Sequence, residues 1–463
     1  MVSLGCARNL VDSEMMLSRL IQAGWQITQA PEEADTIVIN TCSFIESAVN
    51  ESIDTVIELA RLKEAGVCRR LVVAGCLPER FREEIAGALP EVDLFLGTGA
   101  FEELVPALGN CLSQAKCILP DPNNSVLSGE TLHRVRSHPH LAYLKIAEGC
   151  DRHCTYCIIP RLRGRQRCRQ PEDILAEARA LVASGVKELI LISQDTTAYG
   201  KNLTPPTGLG HLLEHLHQGL RMGKAPCENG GVEDAPEKIW LRVLYGHPES
   251  LDDHTLRTIA DHPDICSYFD LPVQHVSDKI LQRMGRNYSG RDLVKLFDGI
   301  RTLMPDAALR TTVMVGFPGE TTRDFRALLD FIRQVGFDHL GCFVYSDSQD
   351  LAAHRLSRHV PAGVAKARYD ELMSVQAEIS LAKNRRHIGQ RYDVLVEKKI
   401  GKNHFSGRTR FQAPEVDGTT KIFSRHLETG RFARVTITGA GPYDLAAKPY
   451  QGKVDESFKP TPA

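Results

Sequence analysis

The chain has 463 residues, of which 42% are hydrophobic and 25% charged, ordinary proportions for globular domains; at roughly 150 residues per domain it holds two to four of them. A net charge of −2 gives no overall field of the kind that draws nucleic acid or membrane. No run reaches the roughly 18 apolar residues of a membrane span, and Arg8 and Asp12 interrupt MVSLGCARNLVDSE before a signal-like stretch develops, so a cytoplasmic location is expected.

The first 115 residues or so alternate short apolar runs with amphipathic stretches. MVSLG, TIVIN (36–40) and RLVVAG (70–75) read as buried parallel strands. Between them DSEMMLSRLIQAG and ESAVNESIDTVIELARLKEAG carry helical spacing and end in glycine, a common helix stop. The pattern is a small α/β layer fold. Residues 119–139, rich in Pro, Asn and Ser, read as a linker.

A longer βα series follows, with strands expected at 141–149, 188–193, 238–246, 268–273, 308–316 and 339–346. Ile174, Ala178, Leu181 and Val182 share one helical face, and Phe325, Leu328, Leu329, Ile332 and Val335 share another. Six such units predict a parallel barrel, at least a partial one. A Gly/Pro-rich insert at 219–237 reads as a surface loop. From about residue 391 the character is all-β, with alternating runs divided by Gly and Asp turns, which predicts a small closed barrel. The tail from 453 to 463 is expected to be disordered.

Thirteen cysteines in a long chain without a signal point to metal or redox chemistry before a disulfide framework. Cys6, Cys42 and Cys76 each lie just past the carboxyl end of an expected parallel strand, the edge where ligands bind in α/β sheets. A cysteine near a strand is also a common small buried hydrophobe, so it is the threefold equivalence that carries weight. Cys68, Cys111 and Cys117 lack that placement. Cys150, Cys154 and Cys157 form C-x3-C-x2-C after the first barrel strand. Closed zinc sites want four ligands, and the nearest spare is Cys168, at the entry to a helix. Iron–sulfur clusters also ordinarily take four thiolates. Three leave one metal position open for a small molecule.

This loop, with Tyr156 just before its third cysteine, resembles that of the radical S-adenosylmethionine (SAM) enzymes. The boxes SLGCARNLVDSE, NTCSFIESAVNESID and VAGCLPE are similar to those of the methylthiotransferase branch, and the terminal barrel is similar to that branch's TRAM domain. Within the branch, NLVDSE, LPVQH and APEVDG are closest to the group that modifies a ribosomal protein. The resemblance covers residue 1 to about 450. It implies a methylthiotransferase domain over 1–118, a radical SAM core shaped as a partial TIM-like barrel over 136–374 and an OB-like TRAM domain over 375–452. It further implies two four-iron–four-sulfur clusters, one on each cysteine triad, with SAM on the open iron beside Cys150, Cys154 and Cys157. Tyr156, Gln194, Asp195, Gln274 and Gly316 would be the cofactor-binding residues.

Each of these has a second reading. Asp195 before Thr-Thr is a good helix cap, Glu320 fits a Gly-Pro turn leading into a capped helix, and His275 suits a structural hydrogen bond. The alternating Arg161, Arg163, Arg165, Arg167 and Arg169 form either a solvated face or a guide for an acidic target. Two departures stand out. The chain starts only five residues before Cys6, leaving an upstream start open, and YSDSQDLAAHRL lacks the Glu-Gly pair usual in the family.

The substrate implied is the β-carbon of an aspartate in the twelfth small-subunit ribosomal protein, with an electron donor such as flavodoxin or ferredoxin and RNA contact through the TRAM domain. The alternative is the tRNA branch, acting on an isopentenylated adenosine. From Arg391 to Lys448 eleven Lys/Arg against six Asp/Glu give +5, which favours phosphate; the sequence boxes favour the ribosomal protein. A third reading is a non-catalytic, zinc-containing RNA-binding protein.

Overall fold

The computed structural model describes residues 1–109, 116–125, 134–221 and 238–450. The expected disordered tail and most of the 219–237 insert lie outside the described residues; the first residues of that insert instead close the helix Leu209–Arg221.

In the first module the strands β1 (Val2–Ser3), β2 (Thr36–Thr41), β3 (Arg70–Gly75), β4 (Leu94–Leu96) and β5 (Lys116–Ile118) pair in that order, all parallel. Alternate residues of β2 and β3 serve opposite faces. Ile37, Ile39, Leu71 and Val73 pack with Val56 and Ala60 of the helix Glu46–Glu64. Val38, Val72 and Ala74 pack with Met16 and Leu20 of the helix Ala7–Gln22. Burial on both faces is why these strands are unbroken apolar runs. β4 and β5, too short to stand out in the sequence, complete the sheet.

The second module carries β6 (Leu141–Lys145), an antiparallel ribbon of β7 (Ala147–Glu148) and β8 (Arg167–Cys168), then β9 (Glu188–Ile192), β10 (Trp240–Val243), β11 (Tyr268–Asp270), β12 (Ala308–Val315) and β13 (His339–Val344). Apart from the ribbon these strands are parallel, in the orders β6-β9-β10 and β11-β12-β13. A bridge from Leu241 to Ile265 joins the two groups, and the Cys266 N–H donates to the Leu241 carbonyl at 2.7 Å. The result is a six-stranded partial barrel. The expected strand 268–273 stops at Asp270, and Gln274, four residues on, takes a left-handed φ of 65°.

The third module is a closed five-stranded barrel of β14 (Arg391–Gly401), β15 (His404–Thr409), β16 (Thr420–Phe423), β17 (Phe432–Ala440) and β18 (Leu445–Pro449). The expected division at 374/375 falls inside one continuous helix, Ala362–Arg386. This helix is a shared strut. Leu372 is buried in the βα barrel's core and Gln376 donates to the Phe337 carbonyl at 2.9 Å, while Asn384 donates to the Gly441 carbonyl of the terminal barrel at 2.9 Å.

The terminal barrel seals the amino ends of the βα strands. Glu188, the first residue of β9, accepts from Arg242 at 2.6 Å and from Arg408 of β15 at 2.5 Å, with all three side chains buried. Tyr268 at the start of β11 donates to Asp417 at 2.6 Å, and His339 at the start of β13 meets the Phe411 carbonyl at 2.8 Å. The carboxyl ends stay open, the end that carries the site in βα barrels.

Candidate active site

Three of the six candidate cysteines follow a glycine in a left-handed conformation: Gly5 (φ 90°), Gly75 (φ 96°) and Gly149 (φ 83°). Each glycine turns the chain sharply out of its strand. Cys6 then becomes the N-cap of Ala7–Gln22, and Cys76 opens the helix Cys76–Phe81. A helix N-terminus favours the thiolate. Burial pushes the Cys6 thiol up, but Arg8, the Asn9 backbone N–H and Arg163 outweigh it and leave it below its ordinary value. Burial raises Cys76 and Cys150 to about 11 and Cys157 to about 12, so metal uptake there must release protons.

Gly149 tolerates no side chain. An added Cβ would stand 2.0 Å from the Arg165 carbonyl oxygen, while Cys150 N–H donates to the neighbouring Gly164 carbonyl at 3.0 Å. Gly149→Ala is expected to cost about 2–4 kcal/mol from forced left-handed backbone plus the clash. Denaturant unfolding and iron retention would check it; an unfolding midpoint equal to wild type would disprove the constraint.

All six cysteines are free thiols and line one cavity of about 1340 Å³ at the open end of the barrel. Typical ligand cavities span roughly 300–1,000 Å³, so there is room for more than one cofactor. Among the described residues no three His, Cys, Asp or Glu side chains close in on a single metal ion. Tetrahedral zinc at about 2.3 Å per sulfur would need thiolates roughly 3.8 Å apart. Six thiols in two groups of three, lining one cavity with room beside them, fit two clusters that would each keep one metal position open.

A buried charged network that the sequence reading did not identify runs between the triads. Arg163 donates to Asp12 at 2.7 Å, reaches Cys76 Sγ and Glu148 at 3.5 Å each, and bonds Asn9. Lys145 pairs with Asp12 and, at 2.8 Å, with Glu148. Burial pushes the Glu148 carboxyl up, but Lys145 and Arg163 outweigh it and hold it at about 2. Glu148 in turn accepts from Gln194 Nε2. Three element ends of the second module thus meet the helix Ala7–Gln22 of the first through ion pairs.

The candidate SAM contacts divide. Gln194 lines the cavity, and its Oε1 is buried without a hydrogen-bond partner. Gln274 lines it from its left-handed turn, as does Tyr245 with φ 62°; strained side-chain-bearing residues of this kind cluster at functional sites. Tyr156 lines it too, its hydroxyl accepting from Arg286 at 3.1 and 2.5 Å and its ring meeting Phe317 edge-on at 6.3 Å. Asp195 faces the cavity but is already engaged: Oδ1 caps the Ala198 N–H at 3.2 Å and Oδ2 pairs with Arg152 at 2.9 Å. Gly316 is not among the lining residues. Its missing Cβ makes room for the Ala365 Cβ, which an added one would approach to 2.5 Å. Glu320 accepts from the Gly316 and Phe317 N–H groups, and burial pushes its carboxyl up to about 7. His275 Nδ1 accepts from the Val276 and Ser277 N–H groups at 2.9 and 3.0 Å, a structural role.

The arginine run is neither a solvated face nor a free guide. Arg163 and Arg169 are buried, Arg169 pairing with Glu177 at 2.5 Å; Arg167 fastens the linker by donating to the Pro122 carbonyl at 2.5 Å. Arg161 lies 3.7 Å from Asp350, and Arg165 alone is exposed without a side-chain partner among the described residues. Cys168 accepts from the Gly200 N–H at 3.2 Å and does not line the cavity. The unusual YSDSQD segment latches the modules together: Asp350 receives Arg80 Nε and Nη2 at 2.9 and 2.8 Å, and Ser348 accepts at 2.8 Å.

Comparison with known proteins extends this geometry. Residues 1–97 match an uncharacterised family, UPF0004; residues 144–332 match the radical SAM superfamily, and residues 388–449 the TRAM domain. Proteins named ribosomal protein uS12 methylthiotransferase RimO are similar over nearly the whole chain. That of Desulfosudis oleivorans is 50% identical over 97% of this chain and 99% of its own. Those of Clostridioides difficile and Geobacter sulfurreducens are 44% and 43% identical, each over 96% of this chain and 96% and 97% of their own. Among solved structures, the radical SAM methyltransferase TsrM of Kitasatospora setae superposes with a TM-score of 0.52 at 14% identity, covering 80% of this chain and 81% of that one; this likeness is one of fold.

Proposed function

The chain belongs to the RimO family of ribosomal protein uS12 methylthiotransferases, and on that premise we propose that Cys150, Cys154 and Cys157 hold one four-iron–four-sulfur cluster and Cys6, Cys42 and Cys76 a second. The observation carrying this reading is that all six free thiols line one cavity. The chain is a radical SAM methylthiotransferase. Bound SAM and the clusters supply reductive sulfonium cleavage, hydrogen removal from an unactivated carbon, and the sulfur that is methylated and transferred. The substrate carbon is the β-carbon of an aspartate in uS12.

The protein's own residues position and enclose this chemistry. Gln194, oriented by Glu148, keeps its Oε1 unpartnered in the cavity and would accept from a donor group of bound SAM. Asp195 holds Arg152 against the cluster loop, whose Arg152 N–H donates to Cys150 Sγ at 3.4 Å. Tyr156 packs the loop onto Phe317, and the Thr155 N–H donates to the Met284 carbonyl at 3.1 Å. Arg8 and Arg163 set positive charge beside the N-terminal triad, suiting a site that carries anionic sulfur. A flavodoxin or ferredoxin is the electron donor in this reading, and the TRAM barrel contacts ribosomal RNA or protein.

The +5 of the terminal barrel is only partly free to meet phosphate: Lys398, Lys399, Lys402, Arg425 and Lys448 are exposed, whereas four other basic residues are engaged. Arg408 is spent on Glu188, Arg410 donates to the Ile265 carbonyl, and Lys421 and Arg434 pair with Asp444 and Asp393. No helix among the described residues is long and apolar enough to cross a membrane.

Anaerobic purification is expected to give brown protein with about eight irons per chain. Incubated with SAM and a reductant, it should add a methylthio group to uS12 and not to tRNA, as read by mass spectrometry. Colourless, zinc-containing protein, or modification of tRNA alone, would overturn the reading.

A further inference from the structure

Two buried donors in the cavity have no partner. Arg286 lines it, with Nε and Nη2 spent on the Tyr156 hydroxyl, but Nη1 is buried and unpartnered. No Asp or Glu among the described residues pairs with this guanidinium. Buried charges are normally paired, because a lone one forfeits its hydration. His247 is 7% exposed and lines the same cavity. Its Nδ1 accepts from the Glu249 N–H at 3.3 Å, which leaves the proton on Nε2, again buried without a partner. Burial, then the Arg286 and Arg152 charges, hold the imidazole neutral, with its pKa pushed down to about 2.

The two side chains share a support. The His247 ring lies 5.8 Å from the Tyr288 ring, and the Arg286 Cζ lies 5.9 Å from it. Tyr288 is itself fixed by donating to the Val273 carbonyl at 3.1 Å. A cation and a neutral N–H set against one ring, with no acceptor offered, match a planar anion with two oxygens. A neutral amide could accept both donors but would leave the Arg286 charge uncompensated, and an ammonium would face repulsion.

We infer that Arg286 and His247 form a carboxylate receptor beside the Cys154–Cys157 loop. The inference rests on the radical SAM reading, which supplies two carboxylates: the methionyl carboxylate of SAM and the side chain of the substrate aspartate. The receptor orients whichever it binds without donating a proton.

The test uses anaerobically reconstituted wild-type protein, Arg286→Gln and His247→Asn. Asparagine keeps an acceptor where Nδ1 stood and removes the Nε2 donor. Equilibrium dialysis measures affinity for SAM, for decarboxylated SAM and for uS12 peptides carrying Asp or Asn at the target position, with iron counted on each protein. Loss of one charge-assisted hydrogen bond should weaken the carboxylate ligand about 10- to 100-fold. Weakened SAM with unchanged decarboxylated SAM assigns the receptor to the cofactor; weakened Asp peptide with unchanged Asn peptide assigns it to the substrate. Wild-type affinities in both iron-replete variants overturn it. Iron loss in both also overturns it, since the pair would then be propping the loop; if only Arg286→Gln loses iron, His247→Asn decides. Wild-type protein that binds no SAM would instead overturn the functional reading itself.

Discussion

Cys150→Ala is expected to abolish reductive cleavage of SAM while leaving iron on the N-terminal triad, dropping the count from about eight to about four per chain. Cys150 sits behind Gly149 at the carboxyl end of the barrel, and among the described residues no thiol outside the two triads lines the cavity: Cys168, the nearest in sequence, is held by the Gly200 N–H away from it. Cys76→Ala should give the converse, SAM cleavage without methylthio product. Release of 5′-deoxyadenosine, iron analysis and product mass together read the two roles. Cleavage surviving Cys150→Ala would show that the triads are assigned the wrong way round or act as one site.

The second large effect concerns stability. Arg163→Met removes the guanidinium that offsets Asp12 and Glu148, both buried. Stripping one partner from a buried ion pair costs about 3–5 kcal/mol, because the remaining charge has lost water and gained nothing. Here Lys145 still compensates in part, so the lower end is expected. In the double variant with Asp12→Asn the losses should not add, leaving a coupling of about 1–3 kcal/mol. Denaturant unfolding of all four proteins measures it. Simple additivity would mean that the network is not a coupled unit.

The cysteine placement was legible because it rests on local rules: an apolar run ends, a glycine turns the chain, and a thiol follows at the sheet edge. The helices were legible for the same reason, since Ile174, Ala178 and Leu181 are buried at helical spacing. The interior ion pairs were not, because the Asp12–Lys145 and Asp12–Arg163 pairs join residues 133 and 151 positions apart. The available hint was compositional: Lys145 and Glu148 interrupt the apolar stretch LAYLKIAEG, and Asn9 and Asp12 lie on the buried side of Ala7–Gln22. The arginine run misled for the opposite reason. Alternation on paper looked like one exposed face, yet Arg163 and Arg169 turn inward to carboxylates contributed by other elements. Gly316 lies in a stretch similar to the family's glycine motif alongside SAM, and the sequence could not show that it also packs closely against Ala365.

Glu188 answers to two masters, Arg242 in its own barrel and Arg408 in the next. The terminal barrel is therefore no interchangeable cassette. A chimera that grafts a TRAM barrel from a tRNA-modifying relative would take away one of the two cations on Glu188 and leave Arg242 as its remaining partner, unless an arginine arrives at the position of Arg408. Exchanging the terminal barrel would therefore disturb the floor of the βα barrel as well as the surface the terminal barrel presents.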